Sequence, residues 1–152
     1  MRAQQHRDPS PAKLIRPQAV ATQLATTPTI AGLDCTQALL RLSGNLTMFH
    51  TLLHRFVNVV PATMTVTNEL YSAQKLEAAA KQLHYLRGML SNIAALEAHR
   101  LATDAESALK VDASDSGARL LVLDDTIYTN YRAIRAYLSE LDHDTPTASE
   151  QR

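Results

Sequence analysis

The sequence predicts an all-α protein, an antiparallel up-down four-helix bundle with a short capping helix at its N-terminal end. Three observations lead to this fold class. Leu and Ala recur at intervals of three and four along most of the chain, which is the period of a helix buried on one side. Glycine is scarce, with only 4 in 152 residues. Aromatic residues make up 5% and Trp is absent, so we expect a core of aliphatic side chains.

The chain divides into one folded domain and two polar ends. Residues 1–29 hold four of the six prolines and no sustained apolar period, so we predict a flexible tail or linker. Residues 30–142 are predicted to form the helical domain. Residues 143–152 are polar and are predicted to be a disordered tail.

Five helices are expected within the domain. Asp34 caps a short first helix that ends at about Leu42. The other helices are predicted at 46–71, 74–93, 95–110 and 118–141. Pro61 interrupts the helix predicted at 46–71, so we expect a kink there. Long helices joined by short connections favour the up-down arrangement.

Composition and charge exclude several classes of protein. The 15 basic and 15 acidic side chains leave no net charge, which argues against nucleic acid as a partner. No apolar run approaches the ~20 residues that span a bilayer, so no membrane contact is expected. Residues 1–17 lack the apolar stretch of a signal peptide, and we therefore expect a cytoplasmic protein. The single cysteine, Cys35, excludes an internal disulfide and is expected to pack in the core.

His84 is the candidate for chemistry. At 100° per residue it lies more than a right angle from the centre of the apolar stripe of its helix, on an exposed shoulder. Glu77, Lys81 and Gly88 follow the same surface strip. Gly88 costs about 1 kcal/mol relative to Ala inside a helix, and it leaves room beside the imidazole for another surface. Arg87 can bring positive charge near the ring.

An exposed imidazole with a cation and an open approach suits phosphoryl transfer. An imidazole nitrogen is a good nucleophile near neutral pH. A phosphoryl group on it carries up to about two negative charges, which Arg87 can stabilise. These residues predict a phosphate-accepting His84, with Nε2 as the attacking atom because it projects furthest into solvent.

The stretch from His84 to Ala95 resembles the signature of histidine-containing phosphotransfer (HPt) domains. That signature is His-x-Leu-Lys-Gly, followed by a small-residue segment that ends in Asn-Ile/Leu-Gly-Ala. Ala102 and Glu106 fall where the family has Ala-x-x-Leu-Glu on its next helix. The resemblance covers about residues 30–141. Four positions depart from the family pattern: Leu83, Arg87, Met89 and Ala94.

The resemblance implies a phosphorelay carrier. HPt domains take a phosphoryl group from the aspartate of one receiver domain and pass it to another, with no ATP site and no cofactor of their own. The Mg²⁺ is expected on the receiver. The family roles are phospho-acceptor for His84, stabilising cation for Arg87 and clearance for Gly88.

The partners that this implies are response-regulator receiver domains and, in some contexts, a hybrid sensor histidine kinase. The chain itself is then a carrier and not an enzyme. It is either a free-standing protein or a piece of a hybrid kinase, and the Pro-rich tail suits both. The residues expected to contact the partner, besides His84, Arg87 and Gly88, are Glu77, Lys81, Ser91 and Asn92.

Two alternatives stay open at this point. The departures from the family pattern are compatible with a helical docking module of the same fold, in which His84 is not phosphorylated. His50 and His54 stand one helical turn apart, which is a possible metal-ligand spacing. No third ligand is evident in the sequence, so no metal site is assigned.

Overall fold

A computed structural model describes residues 26–144, and over that range it contains helices and no strands. The helices are α1 (Cys35–Arg41), α2 (Leu46–Ser72), α3 (Leu76–Asn92), α4 (Leu96–Lys110) and α5 (Ser116–Asp144). The all-α class is therefore confirmed. The predicted tails fall largely on residues 1–25 and 145–152, which lie outside the described residues.

The helices share one core. α2 packs against α3 and α5, α4 packs against the same two helices, and the short α1 contacts α2. The buried side chains are mainly Leu and Ala, with Phe49 and Phe56 as the large rings. Burial of these apolar stripes is what stabilises helices that would be marginal in isolation. Between residues 26 and 144, every helix is too short or too polar to cross a lipid bilayer.

Local side chains and turns determine where the helices begin and end. Asp34 accepts a hydrogen bond from the Gln37 N–H at 2.9 Å and so caps α1, as predicted. After α3 the chain reverses through Ala94, whose φ is 52°. The N–H of Asp34 donates to the Ala94 carbonyl at 2.9 Å, so this turn also holds the start of α1.

Pro61 does not end α2. The helix runs from Leu46 to Ser72 with the proline inside it. A proline in a helix interior costs about 3 kcal/mol, because it removes a backbone hydrogen bond and its ring crowds the preceding turn. Val60 and Met64 are buried on either side of it. Tertiary packing of this stretch therefore offsets the local cost.

α5 is longer than predicted at both ends. It begins at Ser116 instead of Ala118, and Ser116 is buried with its hydroxyl donating to the Ala113 carbonyl at 2.6 Å. It continues to Asp144, past the predicted end at Leu141 and into the predicted tail. Leu138 is buried and Leu141 packs against the core, which holds the last turns on the molecule.

Candidate functional site

His84 projects from the middle of α3 into solvent. Its side chain is 75% exposed, whereas Leu83, Leu86 and Leu90 of the same helix are fully buried and fix the rotation of the helix about its axis. The predicted exposed shoulder is therefore confirmed. The Nδ1 atom of His84 lies 3.4 Å from Oε1 of Glu106 on α4. With Nδ1 facing the protein, Nε2 is the ring nitrogen left for another molecule.

Glu106 is a buried carboxylate with two cationic partners. Its side chain is only 3% exposed. Arg87 donates from Nη1 to Oε2 at 2.7 Å, and Lys110 donates from Nζ to Oε1 at 2.5 Å. Burial raises the pKa of the Glu106 carboxyl, but the hydrogen bonds from Lys110 and Arg87 outweigh burial and hold this pKa below its ordinary value. We call Arg87, Glu106 and Lys110 the charge cluster.

The charge cluster has a net positive charge next to the imidazole, because two cations share one carboxylate. Arg87 is half-buried and held by Glu106 instead of reaching freely to the ring. Its Nε is buried and has no hydrogen-bond partner within the described residues. The side chain stands one turn after His84 on α3. The sequence prediction of a cation near the ring agrees with this position, but its link to Glu106 was not foreseen.

Gly88 is exposed, one turn along α3 from His84. A Cβ built at this position meets no heavy atom within 4 Å. Gly32 and Gly117 differ: a Cβ at Gly32 would fall 2.3 Å from Asn130 Oδ1, and one at Gly117 would fall 2.8 Å from the Tyr71 hydroxyl. No contact among residues 26–144 therefore requires a glycine at 88, and within that range the space above it is open.

A shallow groove of about 210 Å³ runs between α2 and α3 beside His84. We call it the α2–α3 groove. Arg55 on α2 donates from Nη2 to the Tyr85 hydroxyl at 3.2 Å, so the two side chains bridge the helices. The lining residues are Leu52, Arg55, Phe56, Tyr85, Gly88, Met89, Asn92 and Ile93. The groove therefore combines an apolar floor with one cation at its wall.

The remaining predicted contact residues lie along the same side of α3. Glu77 and Lys81 are exposed and pair with each other at 3.0 Å. Asn92 lines the α2–α3 groove. Ser91 is half-buried, and its carbonyl accepts a hydrogen bond from Nη1 of Arg41 at 2.8 Å. Arg41 on α1 is thereby brought to the C-terminal end of α3.

The first histidine of the His50–His54 pair is hydrogen-bonded to another helix. His50 Nε2 lies 2.8 Å from the Tyr137 hydroxyl, a hydrogen bond that joins α2 to α5. Burial, and then the neighbouring His54, lower the pKa of His50. Over residues 26–144, His, Cys, Asp and Glu form no group of three that could hold a metal ion. Cys35 is buried, and burial raises the pKa of its thiol.

Sequence reasoning missed three contributors to this site. Glu106 entered only as a match to the family motif, and Lys110 and Arg55 were not singled out. A signal for Glu106 was present, since this acid falls on the inner face of α4 four residues after the buried Ala102. Lys110 follows Glu106 at the spacing of a helical ion pair. No local pattern indicated that Arg55 would reach Tyr85.

Comparison with family models, with curated proteins and with solved structures finds no match to this chain. The geometry around His84 therefore carries the functional argument. That geometry is an exposed imidazole, with the charge cluster on one flank and the α2–α3 groove on the other.

Proposed function

We propose that this chain is a histidine phosphotransfer module. It accepts a phosphoryl group on His84 from the aspartate of a receiver domain and passes it to the aspartate of another receiver in two-component signalling. The observation that carries the proposal is the contact between His84 Nδ1 and the buried Glu106 carboxylate at 3.4 Å, with Nε2 left to solvent. An ordinary surface histidine has no buried carboxylate next to its ring.

The helix packing supports a fold of the HPt type. α2, α3, α4 and α5 are the long helices, and each packs against two of the others. An antiparallel four-helix bundle closes in this way. In this proposal α1 caps one end, where Asp34 and Arg41 bond to the turn after α3 and to its last residues.

Glu106 gives His84 the tautomer that the reaction needs. An anionic carboxylate next to Nδ1 favours the form with a proton on Nδ1, which leaves the lone pair on Nε2. Nε2 then attacks the phosphorus of the aspartyl phosphate on the receiver. The P–N bond forms as the P–O bond breaks, and the electron pair leaves with the receiver's carboxylate. The ring becomes cationic, and Glu106 compensates that charge.

Onward transfer reverses this step. The carboxylate of a second receiver attacks the phosphorus, the P–N bond breaks and its electron pair returns to Nε2. Arg87 and Lys110 lie on the same flank of the imidazole and lower the electrostatic cost of placing a dianionic group there. Gly88 supplies the clearance for the incoming domain. We expect the Mg²⁺ on the receiver and assign no ATP site or cofactor to this chain.

The proposal implies a cytoplasmic protein, because receivers act there. It fits a free-standing carrier and the terminal part of a hybrid sensor kinase equally. In either context the chain is a substrate and donor of phosphoryl groups and not a catalyst with its own active site.

The test is transfer from phosphorylated receiver domains to the full chain. Wild type, His84→Gln and the matched control His54→Gln are incubated with each labelled receiver and Mg²⁺. We expect acid-labile, alkali-stable label on wild type and on His54→Gln, and none on His84→Gln. Label on all three would mean another acceptor residue. Binding of receivers without label on wild type would favour the docking module.

The role of Glu106 has a separate readout. Nitrogen-15 NMR of His84 reports which ring nitrogen carries the proton. We expect the Nδ1–H tautomer to predominate in wild type and this preference to be lost in Glu106→Gln. An unchanged tautomer in the variant would exclude a positioning role for Glu106, whatever its effect on stability.

A further inference from the structure

A partner that reaches His84 can approach over either flank of α3. On the α4 flank the cations are already paired: Arg87 and Lys110 with Glu106, and Arg100 with Glu97 and Asp104. The positive charge of the charge cluster is thus balanced across this flank by Glu97 and Asp104, which share Arg100. Paired charges must be desolvated if a partner covers them. This flank is suited to supporting the imidazole and not to receiving a second protein.

The α2 flank differs in shape and in charge. The α2–α3 groove is concave and its floor is apolar. Tyr85, which follows His84, lines this groove and is 48% exposed. Helix geometry turns Tyr85, Gly88 and Asn92 to this flank, whereas Arg87 turns to the other. A partner seated in the groove therefore contacts Tyr85 and Gly88, which are the next residue after His84 and the residue one turn further along α3.

Arg55 is the unpaired charge of this flank. Within residues 26–144 it forms no ion pair, and its one hydrogen bond is to the neutral hydroxyl of Tyr85. That bond holds the guanidinium at the groove wall and reduces the side-chain entropy that it would lose on binding. Arg41, at the C-terminal end of α3, likewise bonds only to neutral oxygens, those of Ser91 and Gln37. Arg55 at the groove wall thus makes this flank complementary to an acidic surface, and Arg41 adds a second cation at the C-terminal end of α3.

We propose that Arg55, held by Tyr85, is a specificity-determining residue: it binds a carboxylate on the receiver that docks over the α2–α3 groove. This inference rests on the proposed function, and it adds which flank the receiver covers and what chemistry selects it. A receiver presents an apolar side chain to the groove and an acid to Arg55. A receiver with a neutral or basic residue at that position is rejected, because it would leave Arg55 buried without a counter-charge.

The experiment compares two exposed arginines that each donate to a tyrosine hydroxyl at 3.2 Å, Arg55 across two helices and Arg135 within one helix. Arg135 on α5 also donates to a tyrosine hydroxyl, that of Tyr131, at 3.2 Å. Arg55→Glu and Arg135→Glu therefore change the net charge equally, and each removes one hydrogen bond from an arginine to a tyrosine hydroxyl. Both are tested in the full chain against a panel of purified receiver domains with Mg²⁺. Affinity is measured by calorimetry with unphosphorylated receivers. The initial rate of transfer is measured as a function of the concentration of phosphorylated receiver.

We expect Arg55→Glu to weaken binding about tenfold or more for receivers that label the wild type, and Arg135→Glu to stay within about twofold. The KM for the phosphorylated receiver should rise with kcat unchanged, since Arg55 binds and does not touch the phosphoryl group. Raising the salt concentration should shrink the difference between wild type and Arg55→Glu.

Equal losses in the two variants, or none in either, would overturn the proposal. So would a lower kcat with unchanged affinity. The calorimetric readout separates this inference from the proposed function. Arg55-dependent binding without labelling of His84 would uphold the specificity role and refute phosphotransfer. Labelling of His84 that is unaffected by Arg55→Glu would uphold phosphotransfer and refute the specificity role of Arg55.

Discussion

At the residue scale, Gly88 is a position where stability and the proposed function oppose each other. A glycine in a helix interior costs about 1 kcal/mol relative to alanine, and no contact within the described part of the chain demands it. Ala94 shows a different local cost: its φ of 52° is a left-handed conformation that glycine adopts without strain. The HPt signature that residues 84–95 resemble has Gly here, which would adopt this φ without strain.

Gly88→Ala should therefore stabilise the protein and impair transfer. We expect the free energy of unfolding to rise by up to about 1 kcal/mol, because the helix gains propensity without a clash. The rate of phosphoryl transfer to His84 should fall, since the new methyl group occupies the partner's approach. Urea unfolding and transfer rates on the same samples measure both effects.

Gly117→Ala is the matched control for this variant. Its Cβ would fall 2.8 Å from the Tyr71 hydroxyl, so Tyr71 must shift and stability should not rise. Transfer to His84 should be unaffected. If Gly88→Ala transferred at the wild-type rate, a clearance role for Gly88 would be untenable.

At the element scale, Glu106 ties α4 to α3. The carboxylate bonds Arg87 across the helix interface and Lys110 along its own helix. Because these bonds hold the pKa of Glu106 below its ordinary value, folding favours the charged form. The stabilisation is thus fully present above the ordinary pKa of a glutamate, and it is lost as the pH falls through the lower pKa of the folded state.

Glu106→Gln should remove the pH-dependent stabilisation that the Glu106 carboxylate contributes to the folded state. At pH 7 we expect the variant to be less stable than wild type by about 1–2 kcal/mol, a value discounted for the exposure of Lys110. The difference should shrink as the pH is lowered below about 4, since the wild-type carboxyl is then also neutral. Urea midpoints across this range provide the measurement. A difference that is independent of pH would contradict the assigned ion pairs.

At the scale of the whole molecule, the contact between α2 and α5 is separate from the candidate site on α2, α3 and α4. His50 and Tyr137 join α2 to α5, with their rings 5.7 Å apart. His84, Glu106 and the groove involve α2, α3 and α4. We expect damage to the α2–α5 contact to lower stability without changing the chemistry at His84.

Tyr137→Phe tests this separation. It removes one hydroxyl and leaves Nε2 of the partly buried His50 without its partner, which should cost about 1 kcal/mol of stability. Phosphoryl transfer at a temperature where the variant is folded should equal that of wild type. Thermal unfolding and the transfer assay check the two halves of the prediction. Slower transfer in the folded variant would show that α5 contributes to the site.

Local pattern predicted most of the elements. All five helices lie within about three residues of their expected ends, because apolar side chains at intervals of three and four and the Asp34 cap act within a few residues. The exposure of His84 followed from the same helical period. The helix through Pro61 was also predicted, and burial of Val60 and Met64 against other helices offsets the local cost of the proline.

The sequence by itself determined the helical class, the aliphatic core and the exposed strip of His84 and Gly88, because each depends on the spacing of residues along one helix. Only the tertiary structure decided that Glu106 faces Nδ1 of His84 and that Arg55 bonds Tyr85. The first pair is separated by 22 positions and the second by 30. Such contacts depend on how the helices pack and rotate against one another, which no local period encodes.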